Sequence, residues 1–151
     1  MPNWCECELR ISADEKDKEA IKELKEFKEF AETTNKEGEV NVLDHNKFVP
    51  RPEDKDTDWY NWNCENLGTK WGICRPELVE EDFKWGDLQY AFECAWGPCE
   101  PVILAMSKKF KKLNFRLTFF ECGMGFNGLY ECEDGENTRD ETADYFGSRG
   151  G

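Results

Sequence analysis

The sequence predicts an α+β fold, a mainly antiparallel sheet of about five strands with two helices on one face. Three observations carry this prediction. Several runs alternate apolar and polar residues, as strands with one buried face do. Two other runs place apolar residues at i, i+3 and i+4, as amphipathic helices do. The segments follow one another as strand, helix, long loop, strand, strand, helix, strand, strand, an interleaving that favours one mixed layer over separate all-α and all-β parts.

Residues 8–13 read as the first strand, and Cys5, Cys7, Leu9 and Ile11 share a parity that turns both thiols toward the core. Ser12 and Glu15 have capping-box spacing, so a helix is expected over 14–33. Ala20, Ile21, Leu24, Phe27 and Ala31 form its apolar stripe, and its other faces are Lys and Glu. A long connection, 35–58, has room for a short strand at Val40 and Val42. Within it, Phe48-Val49-Pro50-Arg51-Pro52 is stiff and extended, because each proline biases its predecessor away from helix. Residues 59–66 suit a helical turn or two that Gly68 ends, and a strand is expected over 69–78. A turn over 80–86 precedes a clear strand, 87–95, in which Cys94 shares parity with Leu88, Tyr90 and Phe92.

Pro101 opens a second helix, expected over 102–112, with Ile103, Met106 and Phe110 on one side and lysines at its C-terminal end. A strand over 113–121 follows, then a turn at Gly123-Met124-Gly125 and a last strand carrying Phe126, Gly128, Tyr130 and Cys132. This order is that of a ferredoxin-like sandwich over residues 1–133, with right-handed crossovers through both helices. Residues 134–151 are acidic with little to bury, and read as a largely disordered tail.

The chain has 151 residues, a net charge of −13 and 14% aromatic content. Large rings therefore supply a core where aliphatics are few. Residues 131–151 contribute a net of −5, from seven acids and two arginines, which leaves −8 on the rest. That balance argues against direct nucleic-acid binding, which rests on Lys and Arg contacts to phosphate. It favours solubility or a basic partner protein. The N-terminus has neither a basic nor an apolar leader region, and no apolar run approaches the ~20 residues of a membrane span. A cytoplasmic location is expected, with the eight cysteines mostly reduced. Core filling is the favoured role for these thiols. There is no Cys-x-x-Cys pair and a single histidine, His45, so no metal site or cofactor is expected, although zinc and disulfides stay open as alternatives.

Three stretches mix aromatic residues with Gly, Pro or Asn: 59–71, 92–101 and 119–130. Ordinary core strands do not mix these residues so densely. The expected candidate site is their meeting at one edge of the sheet. Trp62, Trp71, Trp96, Pro98, Met124 and Phe126 would form its walls, and Asn66, Thr69, Lys70 and Glu121 its polar handles. The competing reading is that these motifs only hold the long loop onto the sheet.

The same motifs carry a resemblance. Met1-Pro-Asn-Trp-Cys5, Phe48 with Pro50-Arg51-Pro52, Asn66-Leu-Gly-Thr-Lys-Trp71, Phe92 with Ala95-Trp96-Gly97-Pro98, and Gly123-Met-Gly-Phe126 with Gly128 resemble the YubB-like ferredoxin-like proteins of plasmids and bacteriophages. The similarity covers residues 1–130. This chain departs from the family pattern at Leu67, where a Trp is common, at Cys99, where a second Pro is common, and at Gly72, where an acid is common. The resemblance implies a ferredoxin-like fold and a mobile-element origin. It implies neither an iron–sulfur cluster, since the name describes topology, nor an activity.

No nucleophile elbow, phosphate loop or Ser/His/Asp pattern is present. A non-catalytic binding module acting on a host or phage protein is therefore favoured, with no catalytic residues. Two other classes remain: an acidic inhibitor of a nucleic-acid-handling or defence protein, with carboxylates at 53–58, 77–87 and in the tail, and a small enzyme or metal protein. The oligomeric state is not legible.

Overall fold

The computed structural model describes residues 3–54 and 56–144. Strand β1, Trp4–Ser12, leads into helix α1, Lys18–Ala31. The long connection holds two short strands, β2 (Thr33–Thr34) and β3 (Val40–Asn41), a single 3-10 turn at His45–Lys47, and helix α2, Trp59–Asn66. Strands β4 (Cys74–Asp82) and β5 (Asp87–Ala95) form a hairpin, helix α3 spans Glu100–Lys109, and β6 (Asn114–Glu121), β7 (Phe126–Glu133) and β8 (Glu136–Asp144) complete the chain.

The main sheet has six antiparallel strands in the order β4-β5-β1-β6-β7-β8. Its first four strands have the ferredoxin-like order. The α1 connection skips over β5 to reach β4, and α3 skips over β1 to reach β6. Both helices cover one face. Cys5, Cys7, Leu9 and Ile11 of β1, Leu88, Tyr90 and Phe92 of β5, and Phe115, Leu117 and Phe119 of β6 join Leu24 and Phe27 of α1 and Ile103 and Met106 of α3 in one core. Phe27 is the hub. Its ring meets Phe48, Tyr90, Phe110 and Phe115 at 5.2–6.3 Å, the spacing at which aromatic pairs add to simple burial. No helix among the described residues is long and apolar enough to cross a membrane.

Several boundaries differ from the sequence-based expectation, each for a physical reason. The sheet gains a sixth strand, and the helical turns expected over 59–66 form a third helix. Helix α1 starts at Lys18, because Ser12 is still paired to Asp87 and Asn114 in the sheet and cannot cap it. Asp17 caps instead, accepting from Glu19 and Ala20 N–H at 3.0 and 3.2 Å. Strand β4 starts at Cys74 rather than residue 69, because Gly68 and Gly72 both take positive φ (77° and 72°) and keep the intervening chain in turns. Part of the expected disordered tail is strand β8, paired to β7 from Glu133↔Glu136 to Phe126↔Asp144. Residues 145–151 lie outside the described residues.

The face opposite the helices is polar. Glu6, Glu8 and Arg10 of β1 and Arg116 and Thr118 of β6 share it. Arg10 pairs with Asp87, Arg75 with Glu93, and Arg116 and Arg139 with Glu131.

Candidate functional site

The long loop folds over the end of the sheet where β1 begins and β5 and β6 end. The 3-10 turn is capped by Asp44, whose carboxylate accepts from Asn46 N–H at 2.9 Å. Asn46 in turn accepts from Arg51 N–H at 3.0 Å, which fixes the Pro50-Arg51-Pro52 strap. Asp58 caps α2 through Tyr60 and Asn61 N–H and also binds the Asn61 amide. Asn63, the buried residue of α2, donates to Lys70 O at 2.8 Å and so pins the turn segment that carries Trp71.

Strap, helix and turn enclose a hollow of 410 Å³. Trp59, Trp62 and Trp71 wall it, Val49 and Leu67 add apolar surface, and His45, Arg51 and Glu53 bring polar groups to it. His45 Nδ1 accepts from Ile73 N–H at 3.3 Å, so in the neutral ring the proton sits on Nε2. Burial pushes the imidazole below its ordinary value, partly opposed by the Asp44 carboxylate. The ring is neutral at neutral pH. It approaches so closely because residue 72 is glycine: a Cβ there would stand 2.8 Å from His45 Cε1.

Trp71 is also one rung of an aromatic–cation ladder. Lys70 Nζ lies 4.7 Å from its ring centre, and the Trp4 ring lies 5.8 Å away. The Arg75 guanidinium covers Trp4 at 4.2 Å. Such contacts are worth about 0.5–1 kcal/mol each where exposed. Arg75 is brought there by a bulge between Cys74 and Glu77 and by its own positive φ of 51°.

The ten sequence-predicted site residues separate into groups. Trp62 and Trp71 line the hollow, and Lys70 clamps Trp71 from outside. Asn66 donates to Trp62 O within α2, and Thr69 is buried with a hydroxyl that has no partner among the described residues. Trp96 is 51% exposed at φ 71°, and its N–H donates to Asn3 O at 2.8 Å. Pro98 faces the position where Gly68 lacks a side chain, its carbonyl 3.7 Å from that site. Glu121 is fully buried, and its carboxylate accepts from Gly123 and Met124 N–H at 2.6 and 2.9 Å. Met124 is exposed, while Phe126 packs on Phe119 at 6.2 Å. Asn3 ties these groups together, because its carbonyl holds Trp96 and its amide lies against Gly123. The three aromatic stretches therefore meet around the start of β1, but Trp96, Pro98, Glu121, Met124 and Phe126 are not part of the hollow's lining.

Sequence reasoning missed Trp4, His45, Arg51, Trp59 and Arg75 as members of this region. A signal for Trp4 existed: its parity is opposite to that of Cys5 and Cys7, which turns it away from the core. A larger depression, of 510 Å³, lies on the open sheet face between Glu6, Arg75, Glu77 and Glu93. It has no tryptophan wall, and Arg75 there is already bonded to Glu93. The tryptophan hollow is set apart by its three indole walls, which stand among the polar groups of His45, Asn46, Arg51, Glu53 and Asn63. Among the described residues, no group of three or more His, Cys, Asp or Glu is placed to hold a metal ion.

Residues 77–148, from β4 through β8, match the family model described as a ferredoxin-like domain in Api92-like protein. Among solved structures, the chain is similar to the crystal structure of a protein api92 from Yersinia pseudotuberculosis, with a TM-score of 0.56 and 13% identity. That match covers 74% of this chain and 43% of the other, so this chain spans less than half of that protein's length. No curated protein matches the sequence.

Proposed function

We propose, from a chain whose residues 77–148 match an Api92-like ferredoxin-like domain, that the protein is a non-catalytic binding module and that its tryptophan hollow is the contact site. One observation carries this reading: three indoles from two segments converge on a 410 Å³ space that the protein's own side chains leave unfilled. Trp59 and Trp71 keep 45% and 37% of their surface exposed. Burying rings of this size against a partner is a strong source of affinity. Arg51, Glu53 and the His45 Nε2–H offer a cation, an anion and a neutral donor within one rim. That set suits an extended segment of a partner protein that inserts an apolar side chain while its backbone meets the polar groups. The partner proposed is a host or phage protein in the cytoplasm. The mobile-element setting rests on the YubB-like motifs at 1–5, 66–71 and 95–98.

An acidic, nucleic-acid-mimicking surface is the second reading. Acids concentrate on both edge strands, with Glu77, Glu80, Glu81 and Asp82 on β4 and Glu136, Asp140, Glu141 and Asp144 on β8. It takes second place because Lys28 pairs with Glu81 and Arg139 with Glu141, which breaks up the negative field.

Affinity capture from bacterial lysate with three forms of the protein separates the readings. The Trp59→Ala/Trp71→Ala double variant is expected to lose the partner while circular dichroism stays native. Reversal of Glu80, Glu81 and Asp82 to Lys should leave capture intact at moderate salt. Retention by the tryptophan variant together with loss on charge reversal would replace the first reading by the second.

A further inference from the structure

Several polar groups of the tryptophan hollow have part of their bonding capacity committed, which fixes what the rest can do. Asn46 Oδ1 accepts from Arg51 N–H at 3.0 Å, so the Asn46 amide is left to donate. His45 Nδ1 accepts from Ile73 N–H at 3.3 Å, so Nε2–H is left to donate. Asn63 is the reverse case. Its amide donates to Lys70 O at 2.8 Å, and its Oδ1 is left to accept.

Arg51 stands out among the arginines. Of the other four in the described residues, Arg10 pairs with Asp87, Arg75 with Glu93, Arg116 with Glu131 and Arg139 with Glu141. Arg51 has no carboxylate partner among the described residues, although the chain holds 33 acids against 20 Lys and Arg. It lines the hollow beside His45 and Asn46, so three donors, one of them charged, stand together on the strap side. The acceptors, Glu53 and Asn63 Oδ1, come from farther along the strap and from α2.

We propose that the hollow takes the free C-terminal residue of a partner protein. This rests on the hollow being the contact site, and it names the part of the partner that enters. The terminal carboxylate meets the Arg51 guanidinium, whose planar fork suits a two-pronged bond to a carboxylate. His45 Nε2–H and the Asn46 amide donate beside it. The last peptide N–H of the partner donates to Asn63 Oδ1 or Glu53. Its last side chain, a large apolar one, lies among Trp59, Trp62 and Trp71, with Val49 and Leu67 as further apolar surface. An internal segment would bring no charge to Arg51 and would cover that cation unpaired, which is unfavourable. A free apolar amino acid carries the same carboxylate. However, Trp59 and Trp71 stay 45% and 37% exposed, so the hollow is open on one side, as a chain that continues outward requires. The net charge of −13 slows the approach of a carboxylate, an effect that salt screens, and leaves the contact at hydrogen-bond range intact.

The test applies the full chain to two arrays of decapeptides with the same varied internal sequences, one ending in free carboxylates and the other in carboxamides. Binding is expected on the first array, with Phe, Trp, Leu or Met at the last position. It should be at least about ten-fold weaker on the second, the loss of one charge-assisted pair. Arg51→Gln should bind both arrays equally weakly with a native circular dichroism spectrum, while Arg51→Lys should keep a reduced preference for the carboxylate. If either variant fails to fold, the comparison of the two arrays with the wild type alone decides. Equal binding of the wild type to both arrays overturns the proposal. If the Trp59→Ala/Trp71→Ala variant then abolishes that binding, the hollow remains the contact site and only the terminus is lost. Binding to neither array also overturns the proposal, and the lysate capture separately decides whether the hollow is a contact site. Free phenylalanine should compete far more weakly than a soluble array peptide. Equal potency would assign the hollow to a small carboxylate and overturn the proposal too.

Discussion

Gly72 and His45 form a matched pair. The glycine takes φ 72°, and a Cβ at that position would fall 2.8–3.0 Å from three atoms of the imidazole. Gly72→Ala is therefore expected to cost about 1–3 kcal/mol, from backbone strain and displacement of the ring. A chemical-denaturation midpoint measures this, and an unchanged midpoint would show that the ring simply moves aside. His45 also sets a pH dependence. Its folded value lies below the ordinary 6.5, so the neutral form is the one the fold accepts. As pH falls through about 6.5, unfolded chains bind a proton that folded chains do not. Stability is thus lost on the acid side, until the folded-state value is reached. His45→Gln removes this contribution, and its melting temperature should fall less steeply than that of wild type as pH drops from about 7 to 5. Parallel curves would mean that His45 does not titrate differently in the two states. His45 was visible in the sequence as the lone histidine, but nothing local showed that Gly72 and Ile73 would come to meet it.

At the level of elements, strands were legible where one face is buried. The parity of Cys5, Cys7, Leu9 and Ile11, and of Leu88, Tyr90, Phe92 and Cys94, reappears as alternating burial in β1 and β5. Helix α2 and strand β5 have the boundaries expected of them. Caps were less legible, since Ser12, Asp14 and Asp17 all have capping side chains; sheet pairing occupies Ser12, and the Asp14 carboxylate accepts from Lys16 N–H at 2.9 Å in the turn before the helix, which leaves Asp17. The β6–β7 turn illustrates the same point. Glu121 was assigned as a polar handle, yet both its oxygens are used inside the turn. Glu121→Ala would leave the Gly123 and Met124 N–H groups unpaired and is expected to cost about 1–3 kcal/mol. Urea unfolding followed by circular dichroism reads this directly. A neutral result would mean that water replaces the carboxylate.

For the whole molecule, β8 decides how the sheet ends. All nine of its residues are exposed, so it has no apolar period to announce it. It forms because β7 presents an open edge. The Asn137 amide binds Glu131 O at 2.9 Å, and Gly135 N–H reaches Ser107 Oγ on α3 at 2.9 Å. An acidic strand also suits an edge, where charge discourages pairing with other chains. Truncation after Glu133 should leave the core intact and uncover β7, where the half-buried Leu129 would then lie near an open edge. Analytical ultracentrifugation is expected to show self-association of the truncated form with a native circular dichroism spectrum. A monomer indistinguishable from the full chain would show that β8 has no protective role.

Periodicity alone determined the one-faced sheet, the two crossover helices and the burial of Cys5, Cys7 and Cys94, because alternation and helical spacing are local consequences of which face meets water; Cys64 and Cys122, outside any such period, are exposed rather than core filling. The hollow was decided by tertiary structure. His45, Arg51, Trp59, Trp62 and Trp71 belong to segments with no shared period, and capping bonds, glycine close approaches and the Trp4–Trp71 contact bring them together. The eighth strand was decided in the same way, since its hydrogen-bond partners belong to a neighbour rather than to its own sequence.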